Sequence, residues 1–149
     1  MQRLVRYWYL RLRRRSTPPR LARGLAAGVF AGMFPIFGFQ TIVAVVLATL
    51  IEGDQLVAAL GTWVSNPLTY VPIYTFNFYL GQWLLGTRIN FSYTADILQL
   101  GGQVLVVLFL GSFVVATMSS ILSYYLGLWV FDKMRRQKLQ GHPSVNSKI

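Results

Sequence analysis

No charged residue occurs anywhere in residues 24–51, 55–87 or 97–131, and this constrains the fold more than any other feature of the chain. About 20 consecutive, predominantly apolar residues cross a bilayer, so each run is long enough to do so. A soluble domain built from such runs would have too little polar surface to cover itself. Composition agrees: 54% of the residues are hydrophobic and 12% are charged, the latter about half the share of an ordinary soluble domain. The expected fold class is all-α, a small integral membrane helical bundle.

The net charge of +10 would suggest nucleic acid in a soluble protein, but its placement argues for a membrane. Eight arginines precede the first apolar run, and Lys133, Arg135, Arg136 and Lys138 follow the last. Such flanks mark the cytoplasmic side and attract anionic lipid. Nucleic acid is therefore not expected as a partner, whereas membrane lipids are. The apolar run after the basic start is too long for a signal-peptide core and no A-x-A site follows, so no cleaved signal is expected. The chain has no cysteine, and its one histidine, His142, lies in a polar tail. Neither a metal site nor any other cofactor is expected.

Residues 1–19 read as a basic interfacial helix followed by a proline break. At 100° per residue Leu4, Val5, Trp8, Tyr9 and Leu12 share one side, and Arg3, Arg6, Arg13 and Arg14 the other, with Arg15 near the boundary. A helix of this kind lies in the membrane interface, and its arginines can contact lipid phosphate. A transmembrane domain is expected over 20–132. Residues 133–149 should form a basic, disordered cytoplasmic tail.

The first two apolar runs are interrupted in matching places. Pro35 and Gly38 break 24–51, and Pro67 and Pro72 break 55–87. Proline removes a backbone donor and restricts the residue before it. Paired proline-interrupted segments are the best sequence pointer to a site in a membrane protein. The third run has no proline and predicts one long helix, about 100–131. Gly24, Gly28 and Gly32 form a stripe four residues apart. Ser112, Ala116 and Ser120 give the third run a small-residue face, and the two are expected to pack together, within a chain or between chains.

Basic residues at both ends predict cytoplasmic termini, and so an even number of crossings. Three runs cannot each cross once, so one broken run is expected to be re-entrant. If it is the first, Glu52 and Asp54 stay on the cytoplasmic side; if the second, they lie outside. The expected location is a bacterial inner membrane or a specialised internal one.

No ionisable residue lies inside the runs, and no nucleophile, base and orienting group come together, so no enzyme is expected. What remains is a neutral polar set at the breaks. Gln40, Thr41, Asn66 and Thr69 are the candidate ligands for a lipid headgroup or polar solute, with Pro35, Gly38, Trp63, Pro67 and Pro72 shaping the site. The same side chains could instead satisfy backbone groups freed by the prolines.

Gly32-x-x-Pro35-x-x-Gly38-x-Gln40-Thr41, followed by Gly61-Thr62-Trp63-x-x-Asn66-Pro67-x-Thr69, closely resembles a widespread bacterial membrane family catalogued only as a domain of unknown function. The resemblance covers about residues 20–130. It implies envelope or glycolipid biology for some members, in which the domain is fused behind a glycosyltransferase, and it assigns no activity. The Pro-x-x-Gly turn is also loosely similar to the re-entrant loops of DedA-type proteins, although Gln40 stands where those usually carry charge. Two functions compete: binding or facilitated movement of a polar-headed lipid or solute at the breaks, and a non-catalytic accessory or scaffold subunit. The second would use the small-residue faces to hold a protein partner or a second copy.

Overall fold

The computed structural model describes residues 17–36, 38–89 and 97–140. The expected interfacial helix, with Arg3, Arg6, Arg13, Arg14 and Arg15, lies outside the described residues, as do the connection 90–96 and the tail 141–149. The described residues form five α-helices and no strand: α1 (Pro18–Gly32), α2 (Gln40–Leu50), α3 (Gln55–Gly61), α4 (Tyr70–Leu85) and α5 (Ile97–Gln140). A 3-10 turn, Thr62–Val64, extends α3. One helix among them is long and apolar enough to cross a membrane, over Gly101–Gln137 of α5. The breaks divide the other two runs into shorter pieces.

Each boundary has a local cause. Pro18 and Pro19 open α1, where the missing N–H groups would have had no helical partner. Pro35 ends it, because the residue before a proline is driven out of the helical region. Gly38, at φ +83, then lets the chain reverse in a conformation that L side chains rarely adopt. Asp54 caps α3: its Oδ1 accepts from the N–H groups of Leu56 and Val57, both at 3.1 Å, as a good N-cap does. α4 begins at Tyr70, so Pro72, expected to break the second run, falls in its first turn and does not interrupt it. Gly86, at φ +62, closes α4.

α1 is the centre of the assembly, with α2 and α3 on one side and α5 on the other. The glycine stripe does not meet the small-residue face of α5, as expected from sequence, but α3. A Cβ at Gly24 would strike the backbone of Asp54, one at Gly28 the backbone of Ala58 and Gly61, and one at Gly32 that of Thr62. This pairing runs α3 parallel to α1. α2 lies antiparallel between the connections, and Ala27, Ala31, Ala44, Ala48 and Ala58 form the core of the group.

α5 runs antiparallel to both α1 and α4, which occupy successive lengths of it. Its C-terminal half takes α1: Gly127 faces Ala22 and Leu25, Ser120 Oγ donates to the Ala26 carbonyl at 3.0 Å, and Ala116 packs on Val29 and Met33. Its N-terminal half takes α4, where Gly81 meets Val107 and Gly111 meets Asn77 backbone to backbone. Ser112, Ala116 and Ser120 thus pack helices as expected, against partners other than the stripe.

The chain therefore rises along α1, descends along α2, rises again along α3 and α4, and descends along α5. Arg23 Nη1 lies 3.8 Å from Glu52 Oε2, and Asp54 N–H donates to the Arg20 carbonyl at 3.0 Å. The start of α1, the α2–α3 turn and the basic end of α5 share one end of the molecule. Residues 133–140, expected as part of a disordered tail, continue α5. They are rich in good helix formers, and Asp132 and Arg136 pair four residues apart at 2.8 Å.

Candidate functional site

The ends of α1 and α3 and the starts of α2 and α4 meet at one level, and the polar residues of both breaks gather there. Beyond Gly32 the last carbonyls of α1 lose their helical donors. Two side chains of α4 replace them. Tyr74 Oη donates to the Phe34 carbonyl at 3.1 Å and Asn77 Nδ2 to the Met33 carbonyl at 3.2 Å. Asn77 Nδ2 also donates to Ser112 Oγ at 2.9 Å, tying α1, α4 and α5 at one fully buried point. Its Oδ1 is buried without a partner.

The second break satisfies itself. Asn66 Oδ1 accepts from the N–H groups of Leu68 (2.9 Å) and Thr69 (3.1 Å), an Asx turn across Pro67. In return the Asn66 N–H donates to Thr69 Oγ1 at 2.8 Å, and that hydroxyl lies 2.8 Å from the Val64 carbonyl. Two of the four residues expected to bind a ligand therefore spend most of their capacity on the backbone. This follows from the proline: a break must first satisfy the backbone groups it frees.

Some capacity remains at the junction of the two breaks. Ser65 Oγ donates to Gln40 Oε1 at 3.3 Å, and the hydroxyls of Thr41 and Thr62 are 3.4 Å apart. The carboxamide NH₂ groups of Gln40 and Asn66 have no partner among the described residues, and both side chains are half-exposed. Those NH₂ assignments come from the hydrogen-bond pattern. The Asn66 amide oxygen is engaged by two N–H groups, which leaves its nitrogen as a donor; the Gln40 amide meets Ser65 Oγ, a hydroxyl that also donates to the Thr62 carbonyl at 3.2 Å.

Beside this polar floor a groove of about 580 Å³ runs between α4 and α5, lined mainly by Tyr70, Tyr74, Phe78, Val104 and Leu108. Tyr70 and Tyr74 stack at 5.8 Å between ring centroids. Among the other expected site residues, Pro35 and Gly38 shape the first turn and Pro67 the second. Trp63 is 76% exposed. Pro72 is exposed in α4. Tyr74 was not expected from sequence. Its one signal is the three-residue spacing from Asn77, which puts both on the same face of a helix.

A family model described as "Uncharacterized protein conserved in bacteria (DUF2062)" matches residues 2–140, so the chain belongs to that family. No curated protein and no solved structure matches it.

Proposed function

We propose that this member of the DUF2062 family is a multi-pass protein of a bacterial inner or internal membrane, without catalytic activity, that binds a lipid by its polar headgroup at the paired breaks and eases that headgroup through the bilayer. In this reading α3–α4 and α5 cross the membrane and α1–α2 is re-entrant, so both termini and the Glu52–Asp54 turn are cytoplasmic. The apolar exterior supports it. Ile42, Val46 and Leu50 of α2, Leu68, Val71 and Trp83 around α4, and Leu105, Phe113, Leu122 and Trp129 of α5 are all exposed, far more apolar surface than a soluble monomer leaves open.

The observation that carries the site is the pair of half-exposed carboxamides at Gln40 and Asn66, set among otherwise satisfied groups. They suit an acceptor-rich headgroup, and the neighbouring aromatic groove suits an acyl chain. The test is transfer of a fluorescent phospholipid between leaflets of proteoliposomes. Gln40→Met with Asn66→Ser keeps the turn at Asn66 capped but removes both NH₂ groups. Two charge-assisted bonds are lost, so transfer should slow at least about tenfold with an unchanged melting temperature. Undiminished transfer by a folded double variant refutes the site.

A second reading, an accessory subunit, is favoured by Gly101 and Gly102 of α5, where an added Cβ meets nothing within 4 Å. Open glycines suit the approach of another helix. Gly28 cannot test this reading, because its surface is already filled by α3. Gly101→Leu can: dissociation of a native complex would support the subunit reading, and an intact complex would refute it.

A further inference from the structure

The basic end of the bundle holds a second polar feature. A pocket of about 520 Å³ lies between the first turns of α1 and the α2–α3 turn, lined by Thr17, Arg20, Arg23, Thr49, Glu52 and Gln55 among others. Arg20 and Arg23 are three residues apart and so share a face of α1. The Nε atom of each is buried and has no hydrogen-bond partner. A buried donor on a cation is costly to leave unsatisfied, and the two arginines that carry them line one pocket with the rest of their guanidinium groups.

The local carboxylates do not supply the missing acceptors. Glu52 stands 3.8 Å from Arg23 Nη1 with its side chain 86% exposed, beyond hydrogen-bond distance. Its backbone is held at φ +54. Asp54 Oδ1 is occupied by the N–H groups of Leu56 and Val57. Thr17, the N-cap of α1, makes no side-chain capping bond. The positive end of the α1 dipole adds to the potential here, while Pro18 and Pro19 offer no N–H to a ligand, leaving the guanidinium groups as the donors.

We propose that Arg20 and Arg23 form a binding site for a phosphate group, either the phosphodiester of an anionic lipid headgroup or a free phosphate. The planar guanidinium fork matches a tetrahedral oxyanion, which lysine cannot reproduce. The site is separate from the paired breaks and stands or falls without them.

The test uses the full chain in nanodiscs of phosphatidylcholine containing phosphatidylglycerol, read by native mass spectrometry, and in detergent with inorganic phosphate, read by thermal shift against chloride at equal ionic strength. Retention of phosphatidylglycerol supports a lipid site, and stabilisation by phosphate without lipid preference supports a free-phosphate site. Arg20→Gln with Arg23→Gln should weaken the bound species at least about tenfold. Lys133→Gln with Arg135→Gln removes the same charge from α5 and should leave it in place. Glu52→Gln leaves both arginines intact and removes the competing carboxylate, so retention should rise. Equal loss in both double variants, no binding of either probe, or unchanged retention in Glu52→Gln overturns the proposal.

Discussion

Gly111→Ala tests the packing of α4 on α5 with a single methyl group. A Cβ at Gly111 would overlap the carbonyl oxygen of Asn77 and lie 2.8 Å from its carbonyl carbon and 2.9 Å from the nitrogen of Gly81. All three are backbone atoms, so no rotamer change relieves the clash. Carbon contacts are comfortable at about 3.5–4.0 Å, and the helices must part by about 1 Å. The 2.9 Å bond from Asn77 to Ser112 then passes out of range. That bond is worth roughly 0.6–1.7 kcal/mol between membrane helices. Overpacking adds about 1–3 kcal/mol, and the better helix propensity of alanine returns about 1 kcal/mol. The expected net loss is about 2 kcal/mol, measured by reversible unfolding in mixed micelles. Gly101→Ala on the same helix is the control, since nothing lies within 4 Å of its added Cβ, and it should be neutral or slightly stabilising. Equal stability of the two variants would refute the close approach of α4 and α5.

Asp54→Ala removes the acceptor that caps α3 and should cost about 1 kcal/mol, with Asp54→Asn close to wild type. Equal losses in the two would show that the cap contributes nothing. Tyr74→Phe removes one of two donors to the Phe34 carbonyl, which keeps the Ile36 N–H at 2.8 Å, and should destabilise by about 0.6 kcal/mol in the same unfolding assay; a neutral result would mean that the Ile36 N–H alone satisfies the carbonyl. Because the chain has no cysteine, single cysteines report sidedness cleanly. Gln55→Cys and Thr87→Cys should react with an impermeant maleimide from opposite sides of the membrane, and labelling from the same side would refute the proposed order of crossings.

The boundaries of the helices were largely legible because they rest on local chemistry. Pro35 stops α1 through the residue before it, and Asn66-Pro67 announces a turn. Partners were not legible in the same way. A glycine stripe says that another backbone comes close, without saying which. α3 takes the place expected for α5 because the Glu52–Asp54 turn delivers it directly alongside α1, with Asp54 bonded to Arg20. The roles of Asn66 and Thr69 were hidden for a related reason. Their polarity marks the break in sequence, but whether a side chain turns inward to the backbone or outward to a ligand depends on the turn geometry. Residues 133–140 misled through their charge: a basic segment reads as a solvated tail, although lysine, arginine, glutamine and leucine are all good helix formers.

The asymmetry of the breaks is the strongest reason to locate recognition there. On the α4–α5 side the freed carbonyls of Met33 and Phe34 are taken by Asn77 and Tyr74, and large aromatic side chains close over them. Phe30 meets Phe113 and Phe34 meets Phe109, with ring centroids 6.2 and 5.9 Å apart. On the α2–α3 side the packing is alanine and glycine, and the wall is short. The 11 residues of α2 rise only about 16 Å at 1.5 Å per residue, about half of a 30 Å hydrocarbon core. In the proposed topology this wall ends in mid-bilayer, and Gln40 and Asn66 stand at its rim with NH₂ groups that no described residue accepts. A protein that needed only to bury its broken backbone would close that rim as it closed the other side. Polar groups left open at half depth on the α2–α3 side are, in the proposed function, where a headgroup would pause while its chains remain in the membrane.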